Sequence, residues 1–99
     1  MTESEYLTAV SDEVGRSGRA TPRSLELIEQ GLREHPASPA LWNRRGGLIQ
    51  ISGDDGIYSL GDALASYRRA LAFDPQNSES KKEIANFLGL HGELDGEAG

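Results

Sequence analysis

The chain has 99 residues, ten basic against sixteen acidic side chains for a net charge of −6, and no cysteine. That length holds one domain and leaves no room for a catalytic domain joined to a regulatory one. The missing cysteines exclude disulfides, thiolate metal sites and cysteine nucleophiles, and the acidic balance disfavours a nucleic-acid backbone as ligand.

Twelve glycines raise the entropic cost of ordering the chain. Leu, Ile, Val and Phe together make up only about a fifth of it, close to the lower bound for a foldable charged sequence. These numbers favour short-range, elongated packing over a deep core. No apolar run approaches the ~18 residues of a membrane helix. The opening Met1-Thr2-Glu3-Ser4-Glu5 lacks the basic and apolar regions of a signal peptide. The expectation is a cytoplasmic protein with neither membrane nor nucleic acid as partner.

In chain order, the first predicted helix covers about 3–16, with Leu7, Val10 and Val14 as its apolar positions. Thr21 and Pro22 are an N-cap and a first-turn proline, so a second helix runs over about 22–34. Its Leu25, Ile28 and Leu32 recur at steps of three and four, and Pro36 follows its end. A third helix is expected over about 38–51. Ser52-Gly53-Asp54-Asp55-Gly56 is a loop by composition, with Asp54 or Asp55 able to cap a fourth helix over about 57–73. Leu60, Leu64, Tyr67 and Leu71 mark the apolar side of that helix, and Pro75 closes it. A fifth helix spans about 78–90, and residues 91–99 read as a flexible acidic tail beyond a single domain of 1–90. No segment alternates with period two, so the fold class is all-α, built of antiparallel helical hairpins.

The chain also repeats itself. An offset of 39 places Ser24-Leu25 on Ala63-Leu64, Ile28 on Tyr67, Gly31-Leu32 on Ala70-Leu71 and Pro36 on Pro75. Further along, Gly46 falls on Ala85 and Leu48-Ile49 on Phe87-Leu88. Small residues meet small ones and large apolar ones meet large ones, the mark of a duplicated helical unit.

Trp42, Gly46, Ile49, Ala63, Tyr67, Ala70 and Pro75 resemble the signature of the tetratricopeptide repeat (TPR) family. The stretch from Gly61 to Pro75 is its most specific part and resembles the second helix of such a repeat. Residues 22–36 resemble the same helix of a preceding repeat, and 78–90 a capping helix. The resemblance implies five helices stacked as a short right-handed superhelix, with Trp42, Ala63, Tyr67 and Ala70 buried. Two features depart from it. The family repeat is about 34 residues, so five extra residues fall in or beside 52–58. Arg45 stands where an apolar residue is usual, which requires it to snorkel outward or to pair with an acid such as Glu29 or Asp62.

The resemblance also implies a concave face lined by the first helix of each pair. Residue by residue it places there Asn43, Arg44, Gly47 and Gln50, flanked by Glu5, Thr8 and Asp12 from the first helix and Lys82 and Asn86 from the last. The candidate partner-binding residues are Asn43, Arg44, Gln50, Lys82 and Asn86. Their donors and basic excess suit an acidic or C-terminal carboxylate-bearing segment of a partner protein. The implied function is a non-enzymatic scaffold or adaptor. The alternative is a self-associating structural protein that dimerises through exposed end helices.

Other readings are weaker. His35 and His91 lack the convergent partners of a catalytic base, and His35 suits a helix C-terminus. Asp54-Asp55 without a third ligand is a poor metal site. Neither cofactor nor metal is expected. Trp42 reads as core before ligand platform, and Arg68-Arg69 as a solvated convex face. Gly46 suits a close helix crossing, whereas Gly47 has no packing reason in the sequence.

Overall fold

The computed structural model describes residues 1–52 and 58–91. Among them run five helices and no strand: α1 Glu3–Ser17, α2 Pro22–Glu34, α3 Pro39–Ser52, α4 Leu60–Phe73 and α5 Ser78–His91. The core of the expected loop, 53–57, and the acidic tail from 92 onward lie outside the described residues. The cap for α4 expected at Asp54 or Asp55 is instead Ser59, whose hydroxyl accepts from the Asp62 N–H while Asp62 accepts from the Ser59 N–H.

The same reciprocal capping starts α1, through Thr2 and Glu5, and α2, through Thr21 and Ser24 behind Pro22. α1 ends on Gly18 at φ 75°, a left-handed position that costs glycine nothing. α2 and α4 end alike. His35 and Asp74 donate their N–H groups back to the Gly31 and Ala70 carbonyls, at 2.8 and 2.9 Å. Three residues on, Ser38 and Asn77 donate to the His35 and Asp74 carbonyls, at 3.2 and 3.0 Å. Their side chains then cap α3 and α5, accepting from the Leu41 and Ser80 N–H groups. The turn is thus repeated hydrogen bond for hydrogen bond at the offset seen in the sequence.

Each helix packs on its chain neighbours as a series of hairpins, the α3–α4 pair most extensively. α3 also touches α1 and α5, so the odd-numbered helices form a second row of contacts, whereas α2 and α4 do not meet. α3 therefore has neighbours on four helices, which explains why its apolar residues are spread around its circumference instead of forming one stripe. The core runs through all five helices, from Tyr6 and Val10 through Ile28, Leu41 and Tyr67 to Phe87. The radius of gyration, 13.0 Å, is that of an ordinary compact chain of about 100 residues, so the hairpins pack more compactly than the composition favoured, within extents of 38 × 29 × 19 Å.

Ala63, Tyr67 and Ala70 are fully buried, as the register requires. Trp42 is only half-buried. Its ring N–H donates 2.8 Å to the Pro36 carbonyl in an exposed turn, which holds the indole at the rim of the core. Arg45 takes the paired option: its Nε donates to Glu29 at 2.9 Å and its Nη1 to the Ser66 hydroxyl at 2.6 Å.

Candidate functional site

The row of odd-numbered helices encloses a groove of about 360 Å³ lined by Leu7 of α1, Ala40, Asn43, Arg44 and Gly47 of α3, Asn77, and Glu79 and Glu83 of α5. Gly47 explains itself here. A Cβ built on it meets nothing within 4 Å, so the missing side chain leaves the groove floor open. Its neighbour Gly46 faces the other way, onto the Tyr67 ring.

The five candidate residues separate in space. Arg44 lines the groove, with Nη2 3.4 Å from the Ser11 hydroxyl of α1, while its buried Nε–H has no acceptor among the described residues. Asn43 also lines it but is buried and committed. Its carbonyl accepts from the Ser80 hydroxyl at 2.7 Å and its amide donates to Asn77 at 3.3 Å, tying α3 to the start of α5. Gln50 accepts a hydrogen bond from the Tyr67 hydroxyl. Lys82 and Asn86 are exposed on α5 and do not line the groove. Because Ser80 and Phe87 face inward and Ile84 packs between them, Lys82 lies on the opposite side of the helix.

Glu79 and Glu83, four apart on α5, occupy the wall instead. Their charges reach the Tyr67 hydroxyl, whose pKa is raised above the ordinary 10.0, chiefly by burial and then by these two carboxylates. From α1, the groove takes Leu7, and Glu5, Thr8 and Asp12 are absent from its lining. The lining therefore carries one cation facing two carboxylates, without the basic excess anticipated from Lys82 and Arg44 together. The register of α5 held the signal: Ser80, Ile84 and Phe87 form its inward stripe, and Glu79 and Glu83 flank that stripe.

A second cluster occupies the other side of α3. Glu29 holds Arg45 through Oε1 and accepts from the Tyr58 hydroxyl at 3.1 Å through Oε2. The Arg45 guanidinium lies 5.7 Å from the Trp42 ring and 5.3 Å from that of Tyr58, both within cation–π range. Tyr58, just ahead of α4, thus anchors the start of that helix onto α2 and α3.

Comparison with protein-family models, with curated proteins and with solved structures finds no match. Among the described residues no group of three or more His, Cys, Asp or Glu side chains is placed to hold a metal ion, and no helix is long and apolar enough to cross a membrane.

Proposed function

We propose that the chain is a TPR-like protein-interaction module without catalytic activity, which takes a peptide or helix of a partner protein in the groove between α1, α3 and α5. The observation that carries this reading is the groove floor at Gly47, open to solvent between Arg44 on one side and Glu79 and Glu83 on the other. Support for the TPR kinship comes from the duplicated turn at His35 and Asp74 and from the close crossing of Gly46 on Tyr67. The lining holds no nucleophile beside a base, which favours binding over chemistry. A chain without cysteine suits the cytoplasm.

The wall charges refine the ligand. An acidic or C-terminal segment meets Arg44 but also two carboxylates. A segment of mixed charge satisfies both walls, with an acceptor on Arg44 and a cationic side chain on Glu79 and Glu83. The test is selection of peptides from a displayed library against the full chain. Selected peptides should lose affinity for Gly47→Leu, which fills the floor, and for Arg44→Ala and Glu83→Gln. Arg68→Ala, at an exposed position of α4 outside the lining, should leave binding unchanged. Peptides that bind Gly47→Leu as well as the parent chain refute the groove.

Self-association is the second reading. Ile51, Leu60 and Leu90 are 56%, 37% and 75% exposed. In an antiparallel array the end of α3, the start of α4 and the end of α5 fall at one end of the molecule, which offers exposed apolar side chains there to a second copy. Light scattering separates the readings: a monomer at micromolar concentration supports the groove, and a dimer dissociated by Leu90→Glu supports the end face.

A further inference from the structure

On the side of α3 away from the groove, a shallow depression of about 290 Å³ is lined by Glu29, Leu32, Arg33, Trp42 and Arg45. Its charges are of two kinds. The Glu29 carboxylate is fully engaged by Arg45 and Tyr58, and Arg45 by Glu29 and Ser66, so that pair is neutral and fixed. The remaining charge of the lining is Arg33, from α2, and beside the lining Arg69, from α4, lays its guanidinium 5.5 Å from the Trp42 ring. Both arginines are exposed, and neither has a carboxylate within ion-pair distance among the described residues. In a chain of net charge −6, two uncompensated guanidiniums around a half-buried indole are a local inversion of sign.

The apolar part of the site is held before any ligand arrives. The Trp42 ring N–H is tied to the Pro36 carbonyl, and Leu32 is buried beneath the rim. Arginine pairs carboxylates in a bidentate fork, and a prepared surface lowers the ordering cost of binding. About 290 Å³ of shallow space falls just short of the ~300–1,000 Å³ that encloses a small molecule, but it accepts a side chain of a peptide laid across it. Two cations on an acidic protein are too few to hold a nucleic-acid backbone against the overall charge.

We infer that this depression docks an acidic segment of a partner protein, with carboxylates on Arg33 and Arg69 and an apolar side chain between them against Leu32 and Trp42. The site shares no lining residue with the groove and stands or falls separately from it.

Trp42 is the sole tryptophan, so its fluorescence reports this site directly. The probe is the synthetic peptide Glu-Glu-Leu-Glu-Glu-Leu-Glu-Glu, titrated into the full chain at low salt, with calorimetry as a second readout. A saturable fluorescence change is expected, with affinity falling about threefold in Arg33→Ala or Arg69→Ala and about tenfold in the double variant, the scale of exposed ion pairs. Added salt should weaken it, and Lys81→Ala, exposed on α5 and outside both linings, should bind as the parent does. Arg33→Gln and Arg69→Gln repeat the test if alanine changes the helical circular dichroism. Equal binding of the peptide with Gln in place of every Glu overturns the inference, as does parental affinity in the double variant. Tighter Arg33- and Arg69-dependent binding of a single-stranded oligonucleotide or of inorganic phosphate overturns it too, because the surface would then recognise phosphate.

Discussion

The Tyr67 ring lies against the backbone of Gly46 so closely that a Cβ on Gly46 would stand 2.5 Å from Cε1 and 2.7 Å from Cζ. Tyr67 is fully buried and its hydroxyl is engaged by Gln50, so the ring has nowhere to move. Gly46→Ala should therefore cost roughly 1–3 kcal/mol, less a fraction returned by the better helix propensity of alanine. At the adjacent Gly47, where a Cβ meets nothing, the same change should stabilise by about 0.5–1 kcal/mol. Urea melts of the two variants provide the check, and shifts of the same sign would show that the crossing is placed wrongly.

Arg45 joins α3 to α2 and α4 through Glu29 and Ser66, with side-chain exposures of 16% for Arg45 and 33% for Glu29. Arg45→Ala removes this link and the packing on Trp42 and Tyr58, leaving the Glu29 carboxylate held by Tyr58 alone. A loss of about 2 kcal/mol is expected, below the full cost of breaking a deeply buried pair. A double-mutant cycle of Arg45→Ala with Glu29→Ala should return a coupling of about 1 kcal/mol. Strict additivity would mean that the ion pair is structurally idle.

Asn43 and Ser80 join α3 to α5 by a buried hydrogen bond of 2.7 Å. Asn43→Ala leaves the Ser80 hydroxyl with only its local partner Asn77, at a cost of about 1–2 kcal/mol. Amide exchange should quicken in α5 more than in α2, because α5 is an end helix docked on α4 and on this contact. Uniform acceleration across all five helices would show instead that α5 unfolds only with the rest.

Glu34 accepts a hydrogen bond from the Tyr6 hydroxyl, and this bond, followed by that from the N-terminal amine, lowers its carboxyl pKa below the ordinary 4.5. A carboxyl whose folded pKa is depressed binds its proton less tightly in the native state than in the unfolded chain. Its contribution to stability is thus complete above about pH 4.5 and is lost as the pH falls through the lowered folded value. The Tyr6 hydroxyl, raised above 10.0 by the same bond, behaves in the opposite sense and loses its contribution as the pH climbs through its raised value. Tyr6→Phe should move the Glu34 titration, followed by carboxyl NMR, back toward the ordinary value. An unmoved titration would assign the shift to the amine.

Helix number and type were legible because the signals are local. Periodic leucines, Thr21 with Pro22, and the prolines at 36 and 75 each act within a turn or two of chain, and the five helices lie within a few residues of their expected limits. The start of α4 was misplaced because Ser59 and Asp62 form a capping box inside the stretch read as helix, and the conspicuous Asp54-Asp55 drew the cap too early. Among the candidate site residues, the register of α3 brings Asn43 and Arg44 to the lining of the groove. The family register puts Lys82 and Asn86 on the concave face, whereas the inward packing of Ser80, Ile84 and Phe87 turns them away from the groove.

The sequence by itself determined that this protein is a set of short helices joined by repeated turns, with small residues where helices cross and an acid available for Arg45. Those properties depend on neighbours within a few residues or on a repeat visible at one offset. Only the tertiary structure decided which charges share a surface. Glu79 and Glu83 line the groove with Arg44, while Arg33 and Arg69 each lie beside Trp42, and each grouping draws its members from different helices. The physical reason is rotation. A turn of roughly 100° per residue sends neighbouring side chains to different faces, and the packing of Ser80, Phe87 and Ile28 into the core decides which face each helix gives to solvent.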